Sequence, residues 1–198
     1  DTVRRTDYLQ RLTANLRALP GVQAVSAMSG LPPLRNVNAN DTDFEHIPPG
    51  RPQGSLPAEN TDFWQTVTVG YTETMGIPVV KGRTFDEKDA AGAPVVLVNE
   101  ALVRKFFPPE IDPIGKRLKR GFGDSLPFYT IVGVLKDAKQ SGVSAAAGTE
   151  VYFLAEQMPA TANFALGNFN IVVRSSLPYG SLAPEFRRVA GLLDPTLP

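Results

Sequence analysis

Glycine, proline and aliphatic residues recur in an ordered series of short motifs between Gly70 and Asp137, and this series constrains the fold more than any other feature of the chain. It reads Gly70-Tyr71-x-x-x-Met75-Gly76-Ile77-Pro78, Lys81-Gly82-Arg83-x-Phe85, Val96-Leu97-Val98-Asn99-Glu100-Ala101, Phe106-Phe107-Pro108, Asp112-Pro113-Ile114-Gly115-Lys116 and Ile131-Val132-Gly133-Val134. Residues of these types fix turns and close packing and carry almost no chemistry. The series therefore defines an architecture before it defines a reaction.

Length and composition narrow the options further. A chain of 198 residues has room for one large domain or two small ones, each with its own core. Twenty basic residues balance twenty acidic ones, so no overall charge marks the chain for nucleic acid or an anionic surface. No run approaches the roughly 20 apolar residues needed to cross a bilayer. The absence of cysteine excludes disulfides, thiolate nucleophiles and zinc-thiolate sites. The start at Asp1, with neither initiator methionine nor leader, reads as a piece excised from a longer chain whose targeting signals lie elsewhere.

Periodicity supplies the elements. Tyr8, Leu9, Leu12, Leu16 and Leu19 recur at helical spacing, with Arg4, Arg5, Arg11 and Arg17 left for solvent, and Pro20-Gly21 stops that helix. Strands are predicted over 22–29, 64–69, 77–81 (an edge, because of Pro78), 95–98, 116–119, 129–135, 150–154 and 168–174. An edge strand or extended loop is predicted over 36–47, loops over 50–60 and 141–148, and a solvated turn at Asp86-Glu87-Lys88-Asp89. Asn99 caps a helix that runs to Phe107 and packs Leu102, Phe106 and Phe107 on the preceding strand. A last helix starts at Ser181 and turns Leu182, Phe186, Val189 and Leu193 inward. The chain stops where a returning strand would begin, which leaves an open sheet edge.

Several constellations invite a chemical reading, and each has a plainer one. Gly115-Lys116 lacks a phosphate loop's glycine six places before the lysine and its hydroxyl residue after it: Glu110 and Arg117 stand there. A turn launching a strand explains the pair. His46 is the only histidine, and no Gly-x-Ser-x-Gly elbow supplies it with a nucleophile, so a solvated strand residue is the simpler reading. Asp41-x-Asp43-x-Glu45 begins like a calcium loop, but His46 and Pro52 occupy the places of the required glycine and bidentate acid; the polar face of a strand explains the alternation. Lys116, Arg117, Lys119 and Arg120 divide between two strand faces, which suits a charged edge strand better than a nucleic-acid groove. Arg83 reads as half of an internal ion pair whose partner the sequence does not name. Phe122, Phe128 and Tyr129, beside the glycine-flanked loop 121–127, are the candidates for an exposed apolar contact, with Phe128 and Tyr129 as core residues the alternative. No catalytic, cofactor-binding or metal-binding residue is assigned.

Taken in order, the motifs closely resemble the periplasmic core domain of macrolide-exporter-type (MacB-like, FtsX-like) ABC transporter permeases, in particular orphan permeases without a fused ATPase. The resemblance extends from Leu19-Pro20-Gly21-Val22 to Leu192-Leu193-Asp194-Pro195. It implies an α+β fold of two subdomains: a porter-like βαβ region made from both chain ends, residues 1–85 and 159–198, and an inserted mixed α/β (Sabre-like) subdomain, residues 86–158. It also implies a non-catalytic domain on the outer face of the bacterial inner membrane, looped out between the first two transmembrane helices of its parent. There it would couple helix movement, driven by a cytoplasmic ABC ATPase on the same or a separate chain, to export (efflux) or to a partner protein. The implied partners are those helices, the ATPase, a permease dimer mate and a periplasmic adaptor, with no nucleic acid and no cofactor. Two rivals stand beside this reading. One is an extracytoplasmic module that binds a hydrophobic ligand in a cleft between its subdomains; the other is a small α/β hydrolase dependent on His46.

Overall fold

In the computed structural model, residues 2–37, 40–46, 60–121, 126–158 and 168–194 are described. The predicted loop 50–59, Ile47 to Pro49, Phe122 and Pro195 lie outside them. The described helices are α1 (Thr2–Arg17), α2 (Tyr71–Met75), α3 (Glu100–Phe106) and α4 (Tyr179–Leu193). The strands are β1 (Val22–Met28), β2 (Asn40–Phe44), β3 (Asn60–Thr61), β4 (Phe63–Val67), β5 (Val79–Gly82), β6 (Val95–Asn99), β7 (Arg117–Arg120), β8 (Tyr129–Leu135), β9 (Glu150–Leu154) and β10 (Asn170–Ser175). This is the expected mixed α/β content.

The two ends of the chain build one layer. Leu9, Leu12 and Leu16 bury the inner face of α1 while its four arginines stay exposed, as helical periodicity demands. Gly21, at φ 81°, turns the chain back into β1. β1 pairs antiparallel with β10 over Met28–Asn170 to Val22–Ser175, and α1 packs on α4. Leu12, Leu16, Val25 and Val189 form the core of this layer. α4 begins two residues earlier than predicted, because Pro178 takes the N-cap and its carbonyl accepts the Ser181 amide at 3.0 Å.

From β1 the sheet continues β4-β9-β6-β8-β7-β2-β3, with β10 at the opposite end. It mixes parallel pairs (β4 with β9, β6 with β8) and antiparallel ones. The far end curls back toward β4: the Trp64 indole N–H donates to the Thr42 hydroxyl at 3.0 Å, and the Thr42 and Thr61 hydroxyls bond at 3.0 Å. Inside the curl lie Phe44, Leu102, Phe107, Leu118, Ile131 and Phe153. A second core, around Met28, Tyr71, Leu97, Leu135 and Tyr152, joins it to the terminal layer. β5 pairs with the second half of β8 as the predicted edge strand, every residue of it exposed.

Three expectations need correcting. β7 is no edge strand, since β8 and β2 flank it. β2 likewise has neighbours on both sides, β7 and β3. Residues 86–89 are a solvated turn only in part: Asp86, Glu87 and Lys88 are exposed, but Asp86 caps a single helical turn, Glu87–Ala91, through a reciprocal capping box with Asp89, and Asp89 is buried.

Strand directions place the ends of the molecule. β1 finishes at Met28 opposite Asn170, beneath the first half of α1, and Phe169 and Leu193 share a groove with Tyr8 and Leu9. The start of α1 and the finish of α4 therefore lie at one pole. β4 runs antiparallel to β1, and β9 parallel to β4, so Phe63 and Glu150 point to the same pole. Tyr179, at the start of α4, lies at the opposite one.

Candidate functional site

The single histidine is not solvated as expected. His46 stacks on Phe107 with ring centroids 4.2 Å apart and sets Nε2 3.0 Å from the Phe106 carbonyl, at the end of α3. That geometry closes a helix terminus. The acidic alternation is spent across strands: Asp43 lies 3.8 Å from Lys119, Glu45 accepts the Arg117 Nε at 2.9 Å, and the Asp41 carbonyl accepts the Gly121 amide. Among the described residues no group of three or more His, Cys, Asp or Glu is arranged to hold a metal ion.

The other readings fall out as follows. Gly115, at φ 82°, donates its amide to the Ile131 carbonyl and turns the chain into β7. Asn99 caps α3 by accepting the Leu102 amide at 3.0 Å, and Glu100 pairs with Lys136 at 3.1 Å. Arg83 meets Asp89 with two hydrogen bonds of 2.7 Å. This bidentate contact holds the Asp89 carboxyl below its usual range and raises the arginine. Tyr129 is a core residue, edge-on to Phe153; Phe128 is half exposed beneath the cations of Arg117 and Lys119.

Two buried polar residues escaped the sequence reading. Arg120 turns inward beside Leu118, with its guanidinium 4.4 Å from the Phe153 ring and 5.0 Å from Trp64, and burial lowers its pKa. Strand alternation puts it on the same face as Leu118, and the neighbouring strands make that face the inside. Glu150 is wholly buried on β9. It accepts hydrogen bonds from Arg35 at 2.7 Å, Gln140 at 2.8 Å and Tyr152 at 2.8 Å, and its own amide donates to Asn99 at 2.9 Å. Burial pushes its carboxyl up to about 7, against the pull of Arg35 and the hydrogen bonds. A carboxyl near neutrality suits proton transfer in principle. This one has no exposed surface, so its role here is to tie strands and loops together.

Those loops are 29–37, after β1, and 136–149, before β9. Leu34 bridges to Ser141, the Arg35 amide donates to the Gln140 carbonyl at 2.9 Å, and the Gly142 amide donates to the Pro33 carbonyl at 2.8 Å. Arg35 also donates to the Trp64 carbonyl at 2.9 Å and lies over the Phe63 ring. At the molecule's other face a groove of about 500 Å³ runs between α1, β10 and α4, lined by Leu16, Leu19, Ile171, Leu182 and Phe186 among others.

A mixed sheet pinned by glycine turns, capped helices and a buried ionic knot defines a stiff α/β module in which the start of α1 and the finish of α4 share one pole. The family model of the MacB-like periplasmic core domain matches residues 2–186, and the chain belongs to that family. The periplasmic region of MacB from Actinobacillus actinomycetemcomitans is similar in fold, with a TM-score of 0.59 and 14% identity over 92% of this chain and 72% of that one. The extracellular domain of the noncanonic ABC-type transporter YknZ from Gram-positive bacteria gives 0.61 and 18% over 96% and 85%. No curated protein sequence matches the chain. The fold shared with these permease domains is the expected α+β arrangement of two subdomains.

Proposed function

We propose that the chain is the non-catalytic extracytoplasmic domain of an ABC transporter permease, looped out between two membrane helices at the outer face of the bacterial inner membrane. Movement of those helices, driven by a cytoplasmic ATPase, is passed through the domain to a cargo or a partner protein; a dimer mate and a periplasmic adaptor are the partners such a domain would meet. In this reading residues 1–85 and 159–198 are the porter-like unit attached to the membrane, and residues 86–158 the inserted one. The observation that carries it is the terminal layer: α1 packs on α4 and β1 pairs with β10, so both attachment points belong to one body. β1 hands that body to β4 and β9, and the Arg35–Glu150 pair locks the junction. Rigid-body motion requires just such stiffness.

The test is pulsed spin-label distance measurement on the parent permease, reconstituted with its ATPase. A pair of labels inside the domain keeps its separation between nucleotide-free and ATP-bound states, while a label on the domain moves relative to one at the membrane. A domain that stays still through the ATP cycle refutes the reading.

The groove beneath α4 favours one alternative, an extracytoplasmic module for a hydrophobic ligand, although it lies inside the terminal layer and not in a cleft between subdomains. Saturable thermal stabilisation by a hydrophobic compound, abolished by Phe186→Asp, would promote that alternative.

A further inference from the structure

Three donors converge on the buried Glu150 carboxyl. Arg35 Nη1 reaches Oε1 at 2.7 Å, and Gln140 Nε2 and the Tyr152 hydroxyl reach Oε2 at 2.8 Å each. Arg35 belongs to loop 29–37 and Gln140 to loop 136–149, so one carboxyl grips both loops. An ionised carboxylate accepts all three bonds, whereas a protonated one has an O–H of its own to place. Arg35 keeps only 13% of its side chain in water and Glu150 none. A guanidinium so far buried depends on the opposite charge beside it.

The groups facing the carboxyl leave Arg35 as the charge that acts on it. The Tyr71 hydroxyl from α2 and the Tyr152 hydroxyl from β9 are raised by burial and keep their protons. β6 contributes Asn99, which is neutral. Asp62, just before β4, is taken up by the amide and hydroxyl of Thr149 at 2.7 and 2.9 Å. On loop 136–149, Lys136 pairs with Glu100, Asp137 with Arg104, and Lys139 with the Val143 carbonyl. The Gln140 Oε1 atom is buried with no hydrogen-bond partner among the described residues, and an amide flip would turn it to a carboxyl proton.

We propose that Arg35 and Glu150 form a proton-operated latch: the carboxylate holds loop 29–37 against loop 136–149, and a proton taken up by Glu150 releases Arg35 and its loop. Glu150 lies on β9, an inner strand between β4 and β6, and stays covered when the loop swings away. A covered neutral carboxyl costs little, whereas a covered arginine without its counter-charge costs much, so the proton shifts the balance toward the open loop. The sign follows from the pair. With Arg35 in place the carboxyl sits at about 7; without that cation it sits higher, so the open loop binds the proton more tightly and docking strengthens as pH rises above about 7. Overall stability runs the other way over the range below, because the unfolded chain releases the same proton at lower pH.

Amide hydrogen exchange followed by NMR reads the latch directly. The Arg35 amide donates to the Gln140 carbonyl at 2.9 Å and the Gly142 amide to the Pro33 carbonyl at 2.8 Å, so both lose protection when the loops part. After correction for intrinsic exchange, their protection is expected to rise about tenfold between about pH 6 and about pH 9, one proton being worth up to about tenfold per pH unit. The Ser176 amide, bonded to the Gly21 carbonyl at 3.1 Å between β1 and β10, serves as control and shows no such rise. In Glu150→Gln, whose neutral amide stands in for the protonated carboxyl, both loop amides are expected to exchange fast at every pH. Arg35→Met, which removes the cation and keeps the bulk, abolishes the rise as well and serves where Glu150→Gln fails to fold. Protection in the parent that is flat or falls with pH overturns the proposal, and so does a rise that survives in either variant. The latch is a property of this chain alone, so its failure leaves the permease reading standing.

Discussion

Replacing Gly133 with alanine is the sharpest test of why the chain carries so many glycine motifs. Gly133 faces Gly82 where β8 meets β5. A Cβ on Gly133 would collide with the backbone carbonyl oxygen of Arg83 and come within 2.9 Å of a Leu97 methyl. A backbone oxygen cannot rotate away, so β5 must lift off β8. Overpacking of this kind costs about 1–3 kcal/mol. Lifting β5 also stretches the Arg83 amide bond to the Val132 carbonyl, now 3.0 Å, for about 1 kcal/mol more. The sum, about 3 kcal/mol, corresponds to a fall of about 10 °C in Tm for a domain of this size. Calorimetry of Gly133→Ala beside Gly191→Ala measures it. Gly191 lies in α4 with nothing within 4 Å of its Cβ position, so alanine there leaves Tm unchanged or raises it. A Gly133→Ala chain that melts within about 2 °C of the parent refutes the close-approach argument.

Three further outcomes are expected. Glu150 has its carboxyl raised from 4.5 to about 7, so the unfolded chain releases its proton first and stability falls as pH rises through that window; Glu150→Gln removes the slope, read from urea midpoints between about pH 5 and about pH 8. Asn99→Ala loses the α3 cap and leaves the Glu150 amide without its acceptor, at about 2–3 kcal/mol in urea unfolding, whereas a cost below about 0.5 kcal/mol would contradict the double role. Asp89→Ala removes the bidentate acceptor of Arg83, which keeps only the Thr84 carbonyl at 3.0 Å and Asp86 at 3.8 Å, and the acceptor of the Asp86 amide, and costs about 2 kcal/mol at neutral pH. Because Asp89 is held below its usual range, its contribution is present above that range and fades as pH falls through it, so the parent and Asp89→Ala chains converge in acid, which acid-urea melts would check.

Much of this was legible in the residues themselves. The face of α1, the Asn99 cap, the Gly115 turn and the buried β6 were all placed correctly, because each depends on residues within a few positions of one another. Family membership was legible too, since an ordered set of turn and packing motifs survives where chemistry does not vary the pattern. Pairing across the sheet was not. Arg120 was assigned to a charged edge because no local pattern reveals that β2 lies beyond β7 and that Trp64 and Phe153 line the inside. Asp89 was assigned to solvent because its partner Arg83 was visible only as one half of an unidentified pair.

The pairing of loops 29–37 and 136–149 depends on contacts far apart in the chain. Leu34 and Val143 are ordinary loop residues in the sequence; a salt bridge between residues 115 positions apart, Arg35 and Glu150, sets their loops side by side. Local sequence decided the helices, strands, caps and turns, through interactions that act along the chain. Only the tertiary structure decided which charges are buried and which apolar residues are left in water, because burial is set by strands brought together from distant parts of the chain.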